Sequence, residues 1–496
     1  MENNVTTANN VTIRRREQYI ERDPARVICR LHMPGGNPAR ADKIINRVTS
    51  LGEEEIEELL DEIISDFYER HKDIERIFER HFDNVINFLY PGRRDTFTHS
   101  QKQLIGACFT MEYAIESAAL FNPSIVLHPN QSGLPENSLR FIMSLRATGE
   151  GHISSLAFRS GIIDGEGDLQ FDPVSPYVGT PDMQLNPEYE KAVFRRKLDE
   201  IGECSEIADH IFKDMPDYFD YQKLKERMGQ LISEPVFAPE RQFDCFHQMH
   251  WLVNSNYRLD FPPDHSISER VIFPVSEIES GGIEDARFVQ FHAESGENIY
   301  YATYTAYNGR SIMPQLIETR DFEHFKVSSL NGDAVQNKGM ALFPRKINGQ
   351  YAMLSRQDGE NNYIMFSDHL YFWEESHLIQ EPVETWEFIQ VGNCGSPLET
   401  HEGWLVLTHG VGPMRVYSIG AILLDIDDPT KVIGRLEEPL LKPFGHEREG
   451  YVPNVVYTCG AIFHMDELII PVSMSDIQAG VVNVKLDELF DAMKPV

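Results

Sequence analysis

Beyond residue 120 the chain repeats itself five times, and a fivefold repeat of short apolar runs leaves few folds open. Each unit begins in a loop marked by Pro or Gly, and the strands that follow end in polar residues. The first runs from Phe121-Asn122-Pro123-Ser124 to Ser144-Leu145-Arg146, and the second from Glu284-Asp285-Ala286-Arg287 to Tyr307. Lys338-Gly339-Met340 leads the third, to Ser355-Arg356, and Gly392-Asn393-Cys394-Gly395 leads the fourth, to Thr408-His409. The fifth goes from Tyr451-Val452-Pro453-Asn454 to Asp476. Further strands are expected within the units at 152–159, 313–319, 363–367, 418–425 and 480–484. Unit starts lie roughly 55–60 residues apart, except across the first gap, which holds an insertion. Antiparallel units with this spacing predict a mainly β fold, a five-bladed β-propeller. No Trp-Asp dipeptide is present, which disfavours a WD40 scaffold.

The remainder divides by composition. Residues 1–40 read as an N-terminal arm, Asn-rich and then basic at Arg14-Arg15-Arg16. Residues 41–120 read as a helical region, because Ile56, Leu59, Leu60, Ile63, Ile64 and Phe67 recur at helical spacing; a further helix is expected over 100–120. Residues 121–496 form the propeller, with a charge-rich helical insert at about 185–235. The run Glu53-Glu54-Glu55 fits a solvated helix start, and the helices' other readings are a lid or a homo-oligomer contact.

Of 496 residues, 41% are hydrophobic and 10% aromatic, enough for a sizeable core. A net charge of −33 argues against nucleic acid or an anionic membrane as partner. No apolar run approaches the roughly 18 residues of a membrane span. The polar N-terminus lacks a signal-peptide core, which gives the Asn4-Val5-Thr6 sequon little weight. Six scattered cysteines without a C-x-x-C pair favour reduced thiols in a cytoplasm over a disulfide framework or zinc site. No metal or organic cofactor is expected; His247 and His250 read as helical packing.

In a propeller the inner strands converge on a central channel. There the unit starts and strand ends bring together Asn122, Arg146, Asp285, Arg287, Lys338, Arg356, His409 and Asp476. Acids among cations, in an acidic chain, suit a polar substrate plus an anion; buried ion pairs holding the channel together suit them equally. Strand alternation places Asp285 and Arg287 on one face and Glu284 on the other.

From about residue 121 onward the chain resembles glycoside hydrolase family 130, the five-bladed β-mannoside phosphorylases and β-mannosidases. The matching stretches are Phe121-Asn122-Pro123, Gly282-Ile283-Glu284-Asp285-Ala286-Arg287, Thr303-Tyr304-Thr305-Ala306-Tyr307, Asn337-Lys338 with Leu342-Phe343-Pro344, Thr408-His409-Gly410 and 447–456. The resemblance implies Asp285 as general acid, acting through the 3-hydroxyl of the bound mannose. It implies Asn122, Arg146, Asp476, Tyr307 and Arg287 as substrate-binding residues, and Lys338, Arg356 and His409 as phosphate-binding residues. Inorganic phosphate is then a co-substrate and a β-mannoside oligosaccharide the partner. The product is α-mannose 1-phosphate.

Two departures bear on the reaction. Ala286 replaces a frequent Pro, and Gln390 stands where many family phosphorylases carry a third cation. An inverting β-mannosidase needs a carboxylate to activate water. Asp358 and Glu360, in Gln357-Asp358-Gly359-Glu360-Asn361, are the candidates, against the alternative of a polar hairpin turn. A third reading is a non-catalytic sugar-binding propeller. Phosphorolysis leads.

Overall fold

Five antiparallel sheets follow one another along the chain in a computed structural model, which describes residues 5–8, 10–201, 204–233 and 236–496. The sequon at Asn4 lies outside the described residues. The first sheet runs Ala119–Leu127, Leu139–Thr148, Ser154–Ile163 and Leu169–Phe171. The second runs Gly282–His292, Asn298–Tyr307, Ile312–Thr319 and His324–Ser329, and Tyr257–Asp260 and Asp182–Leu185 extend its outer edge. A parallel bridge between Gly282 and Ser154 joins the two. The third comprises Lys338–Leu342, Tyr351–Arg356, Asn362–Ser367 and Ser376–Gln380. Gln390–Asn393, Trp404–Val411, Tyr417–Leu424 and Val432–Arg435 make the fourth. In the fifth, Val456–Tyr457 and Ile462–His464 both pair with Glu467–Met474, followed by Gln478–Lys485. The inner strands of each sheet fall where alternation and turn residues placed them, and the outer strands His324–Ser329, Ser376–Gln380 and Val432–Arg435 add to them.

Each sheet packs on the next, and the last packs on the first. Val126 and Phe158 of the first sheet share a buried cluster with Phe288 and Phe325 of the second. Val289 and Leu316 meet Met340 and Met353, and Ala341 and Leu354 meet Trp404 and Ile422. Leu405 and Leu407 pack with Leu468 and Val482, while Ile469 and Val481 return to Phe141 and Met143. The core is thus a cycle of wedges between sheets, with separate helical cores in the N-terminal region and the insert.

Several expectations change or gain detail. The arm is structured: Val11–Arg15 pairs antiparallel with Gln478–Lys485, and Val5–Ala8 adds outside it, so the N-terminus completes the fifth sheet. The helix expected over 100–120 is His99–Cys108, opened by a Thr98/Gln101 capping box. Beyond it Thr110–Ala114 pairs with Val27–Leu31, and that pairing overrides the helical pattern. The insert's helices are Lys191–Ile201, Ser205–Phe212, Tyr221–Ile232 and Pro239–Asn254, reaching past 235. Pro239 starts the last of them, and Cys245, Met249, Leu252 and Val253 form its buried face.

Cys204 and Cys245 of the insert form a disulfide, which corrects the reading of six reduced thiols; Cys29, Cys108, Cys394 and Cys459 are free. The two lie 41 residues apart, so no short spacing could have signalled the pair. Among the described residues, no helix is long and apolar enough to cross a membrane.

Candidate active site

The first strands of the first three sheets share a defect. Register slips between Phe121 and Ser124, between Glu284 and Arg287, and between Lys338 and Ala341. Left-handed backbone sits inside each slip: φ is 47° at Asn122, 52° at Asp285 and 91° at Gly339. A β-bulge leaves a residue unpaired and re-aims its side chain. For non-glycine residues such backbone is uncommon and concentrates at functional sites.

The bulge changes what the Glu-Asp-x-Arg motif presents. Glu284 and Asp285 both turn to Arg146: its guanidinium donates to Glu284 Oε1 at 2.8 Å and reaches Asp285 Oδ1 at 3.5 Å. Strand alternation had put them on opposite faces, and the inserted residue cancels that alternation. Asn122 donates from Nδ2 to Asp285 Oδ1 at 2.6 Å. Lys338 Nζ lies 3.8 Å from the other oxygen of Glu284.

Arg287 goes elsewhere. It is 3% exposed, and its guanidinium donates to the Cys394 carbonyl, the Tyr457 hydroxyl and the Asp285 carbonyl. Those bonds fix the backbone of Asp285 from behind, which fits positioning better than the substrate contact expected of it. Just upstream, the fully buried Glu279 accepts from the Tyr257 and Tyr304 hydroxyls and from the Val275 and Ser276 amides, anchoring the loop that leads into the motif. Its sequence signal was Ser276-x-x-Glu279, a capping box that went unread. Gly282 has φ 133°, and a Cβ there would fall 2.3 Å from Ser154 Oγ, so the second glycine is required by close approach.

Electrostatics divide the two aspartates. Burial alone would raise Asp285, but Arg146, Arg287, Lys338 and the Asn122 amide outweigh it and hold the carboxyl well below its usual range. Asp476 is pushed up to about 6, first by burial and then by the charge of Asp285, with Arg146, Arg415 and Lys338 opposing. Ser475 and Asp476 both have positive φ, 48° and 53°, at the hairpin between the last two C-terminal strands of the fifth sheet. Met414 and Arg415, at 60° and 56°, form a similar hairpin in the fourth.

The cations form a second group. Lys338 and Arg356 are register partners on adjacent strands, so their side chains leave the same face side by side. Arg356 NH1 donates to His409 Nε2 at 2.9 Å. His409 Nδ1 lies 3.2 Å from the Asn393 carbonyl, which only accepts, so Nδ1 carries the proton and Nε2 takes the hydrogen bond from Arg356. Burial, then Arg356 and Arg287, depress its pKa well below the ordinary histidine value. With both ring nitrogens engaged, His409 is placed to orient Arg356, where a direct phosphate contact was expected. Gly392 lies where a Cβ would meet His409 Cε1 at 2.9 Å and Arg356 Cδ at 3.0 Å.

Tyr307 is half-buried and pairs with Gly282 at the start of the motif strand. Gln390 pairs with Val411 and starts the fourth sheet. Asp358 belongs to its own turn: its oxygens accept from the Glu360 and Asn361 amides, the Asn361 side chain and the Tyr363 hydroxyl. Despite some burial, these bonds hold it at about 2. It is the polar hairpin turn. In the insert, His250 Nδ1 bonds the Tyr221 hydroxyl at 2.6 Å, as packing requires.

Sequence relatives identify the family. The family model described as β-1,4-mannooligosaccharide phosphorylase matches residues 263–495. A 1,2-β-oligomannan phosphorylase of Thermoanaerobacter sp. (strain X514) is 36% identical over 43% of this chain and 72% of its own length. A β-1,2-mannobiose phosphorylase of Listeria innocua is 32% identical over 45% of this chain and 63% of its own. The solved structure of a Listeria innocua β-1,2-mannobiose phosphorylase with β-1,2-mannobiose has a TM-score of 0.46 and 24% identity, covering 77% of this chain and 92% of that one. The chain belongs to glycoside hydrolase family 130.

Proposed function

We propose that the cycle of five sheets is a five-bladed β-propeller and that its channel carries out phosphorolysis of β-mannosides with inversion. The observation that carries this reading is the pairing of Lys338 with Arg356 beside the Glu284–Asp285 bulge. Two cations on one face suit a phosphate nucleophile, while of the two candidate bases for water Asp358 is consumed by its own turn and Glu360 is exposed beside it.

Asp285 is the general acid. Asn122, Arg146 and Asp476 hold the non-reducing-end mannose, with Tyr307 at the mouth. Arg287 and His409 are positioning residues. Phosphate held by Lys338 and Arg356 attacks the anomeric carbon from the face opposite the leaving sugar. Asp285 passes its proton through the mannose 3-hydroxyl to the glycosidic oxygen as the C–O bond breaks, giving α-mannose 1-phosphate and a shortened acceptor.

An ionised Asp285 cannot donate, and the free site keeps it ionised. Bound phosphate supplies the correction: its negative charge offsets Lys338, and a sugar hydroxyl competes for the Asn122 amide. Both changes raise the acid toward a working pKa. The names of the relatives direct the first assay to β-1,2-linked substrates, with β-1,4 as the comparison.

The test is release of mannose and mannose 1-phosphate from β-1,2- and β-1,4-mannobiose, with and without inorganic phosphate. Mannose 1-phosphate that forms only with phosphate supports the reading. Free mannose at a phosphate-independent rate overturns it.

A further inference from the structure

A second polar cleft lies away from the channel, where the helical insert meets the outer edge of the second and third sheets. It encloses about 210 Å³, and its walls include Lys197 and Tyr218 of the insert and Lys326, Asn331 and Tyr371 of the sheet region. The insert precedes residues 263–495, the stretch that the family model matches.

Its chemistry is that of a neutral polyol site. Asn331 is 3% exposed; its Nδ2 donates to the Ser329 and Tyr371 carbonyls, while its Oδ1 is buried without a partner. Such an acceptor is costly unless a ligand or water meets it. Lys197, 8% exposed, donates to Glu200 and to the Leu330 carbonyl, and Lys326 donates to the Tyr371 hydroxyl. Each ammonium has three donors, so each retains capacity. Glu188 and Glu190 stand at the exposed lip, and Tyr218 is 57% exposed beside them.

An anionic ligand would face the two glutamates, and a cation would face the two lysines. An apolar ligand would leave Asn331 Oδ1 and both ammonium groups desolvated. A pyranose answers all of these: vicinal hydroxyls both donate and accept, and its C–H face lies against an aromatic ring. The volume suits one sugar unit better than an oligosaccharide.

We propose that this cleft is a secondary carbohydrate site that holds a mannosyl unit of a long substrate while another end occupies the channel. The sugar's identity rests on the β-mannoside reading above; the site itself does not.

Two measurements separate the claims. In saturation-transfer NMR with mannotriose, the wild-type chain is expected to show two bound populations, and Tyr218→Ala and Asn331→Leu one. A single population, unchanged by either exposed Tyr218→Ala or buried Asn331→Leu, overturns the site. In phosphorolysis, Tyr218→Ala is expected to raise KM for β-mannohexaose about fivefold and leave kcat and the mannobiose KM unchanged. Equal effects on both substrates also overturn it. If wild type forms no mannose 1-phosphate, the phosphorylase reading fails, and the NMR arm still decides the cleft.

Discussion

Asn122 Nδ2 donates to Asp285 Oδ1 at 2.6 Å, across 163 residues of sequence. Both residues sit in β-bulges with positive φ, on the first strands of neighbouring sheets. Two backbone irregularities are therefore spent on one contact. Asp285→Asn removes the proton donor while keeping the shape, and is expected to lower kcat by about 10³-fold with mannoside affinity retained. Steady-state kinetics beside ligand titration checks it. A variant that loses affinity and rate together would show that Asp285 only holds sugar.

The cation pair makes a separate prediction. Lys338→Ala and Arg356→Ala each remove a charge-assisted contact and are expected to raise KM for phosphate about 10- to 100-fold, with a much smaller change in the mannoside KM. Varying each substrate at saturating levels of the other reads the split. A rise confined to the mannoside KM would move these cations to the sugar side.

His409 acts through Arg356. His409→Leu is expected to raise the phosphate KM by about tenfold, the order of one lost hydrogen bond to a charged group. Because the wild-type ring is neutral at its ordinary pKa, the variant's pH–rate profile should keep any limb near pH 6.5. Gly392→Ala should reproduce the phosphate defect, since its Cβ presses on both residues. Loss of a limb near pH 6.5 in His409→Leu would instead make the ring a titrating participant.

Asp476 trades stability for function. Its folded pKa is raised from 3.8 to about 6, so the folded chain holds this proton more tightly than the unfolded one. The native state is therefore favoured below about pH 4 by this group, and that contribution is lost as pH rises through 6. Asp476→Asn removes the ionisation penalty and is expected to stabilise by up to about 2–3 kcal/mol at pH 7.5. The margin should shrink as pH falls from 6 toward 4, while activity drops. Urea midpoints across that range test it; a margin independent of pH contradicts the charge argument.

Much of the fold was legible because its signals are local. Alternating apolar runs between turn residues marked most of the strands from Ala119 to Lys485, and the five unit starts fall at or just before the first strand of each sheet. The helix at His99–Cys108 was overextended because nothing local reveals that Thr110–Ala114 will find Val27–Leu31. The arm was misread for the same reason: Val11–Arg15 becomes a strand only when the C-terminal strand Gln478–Lys485 offers it an edge.

At the site, residue identity and order came from the sequence, and direction came from the tertiary structure. The chain alone placed Asn122, Arg146, Asp285, Lys338, Arg356 and Asp476 at the starts and ends of repeated strands, and the family resemblance supplied their expected roles. Alternation then assigned Glu284 and Arg287 to the wrong faces, since a bulge is a property of two strands in register and not of either one. His409 likewise needed its neighbours. Only the Asn393 carbonyl and Arg356, brought to its two nitrogens by the fourth and third sheets, decide which nitrogen holds the proton.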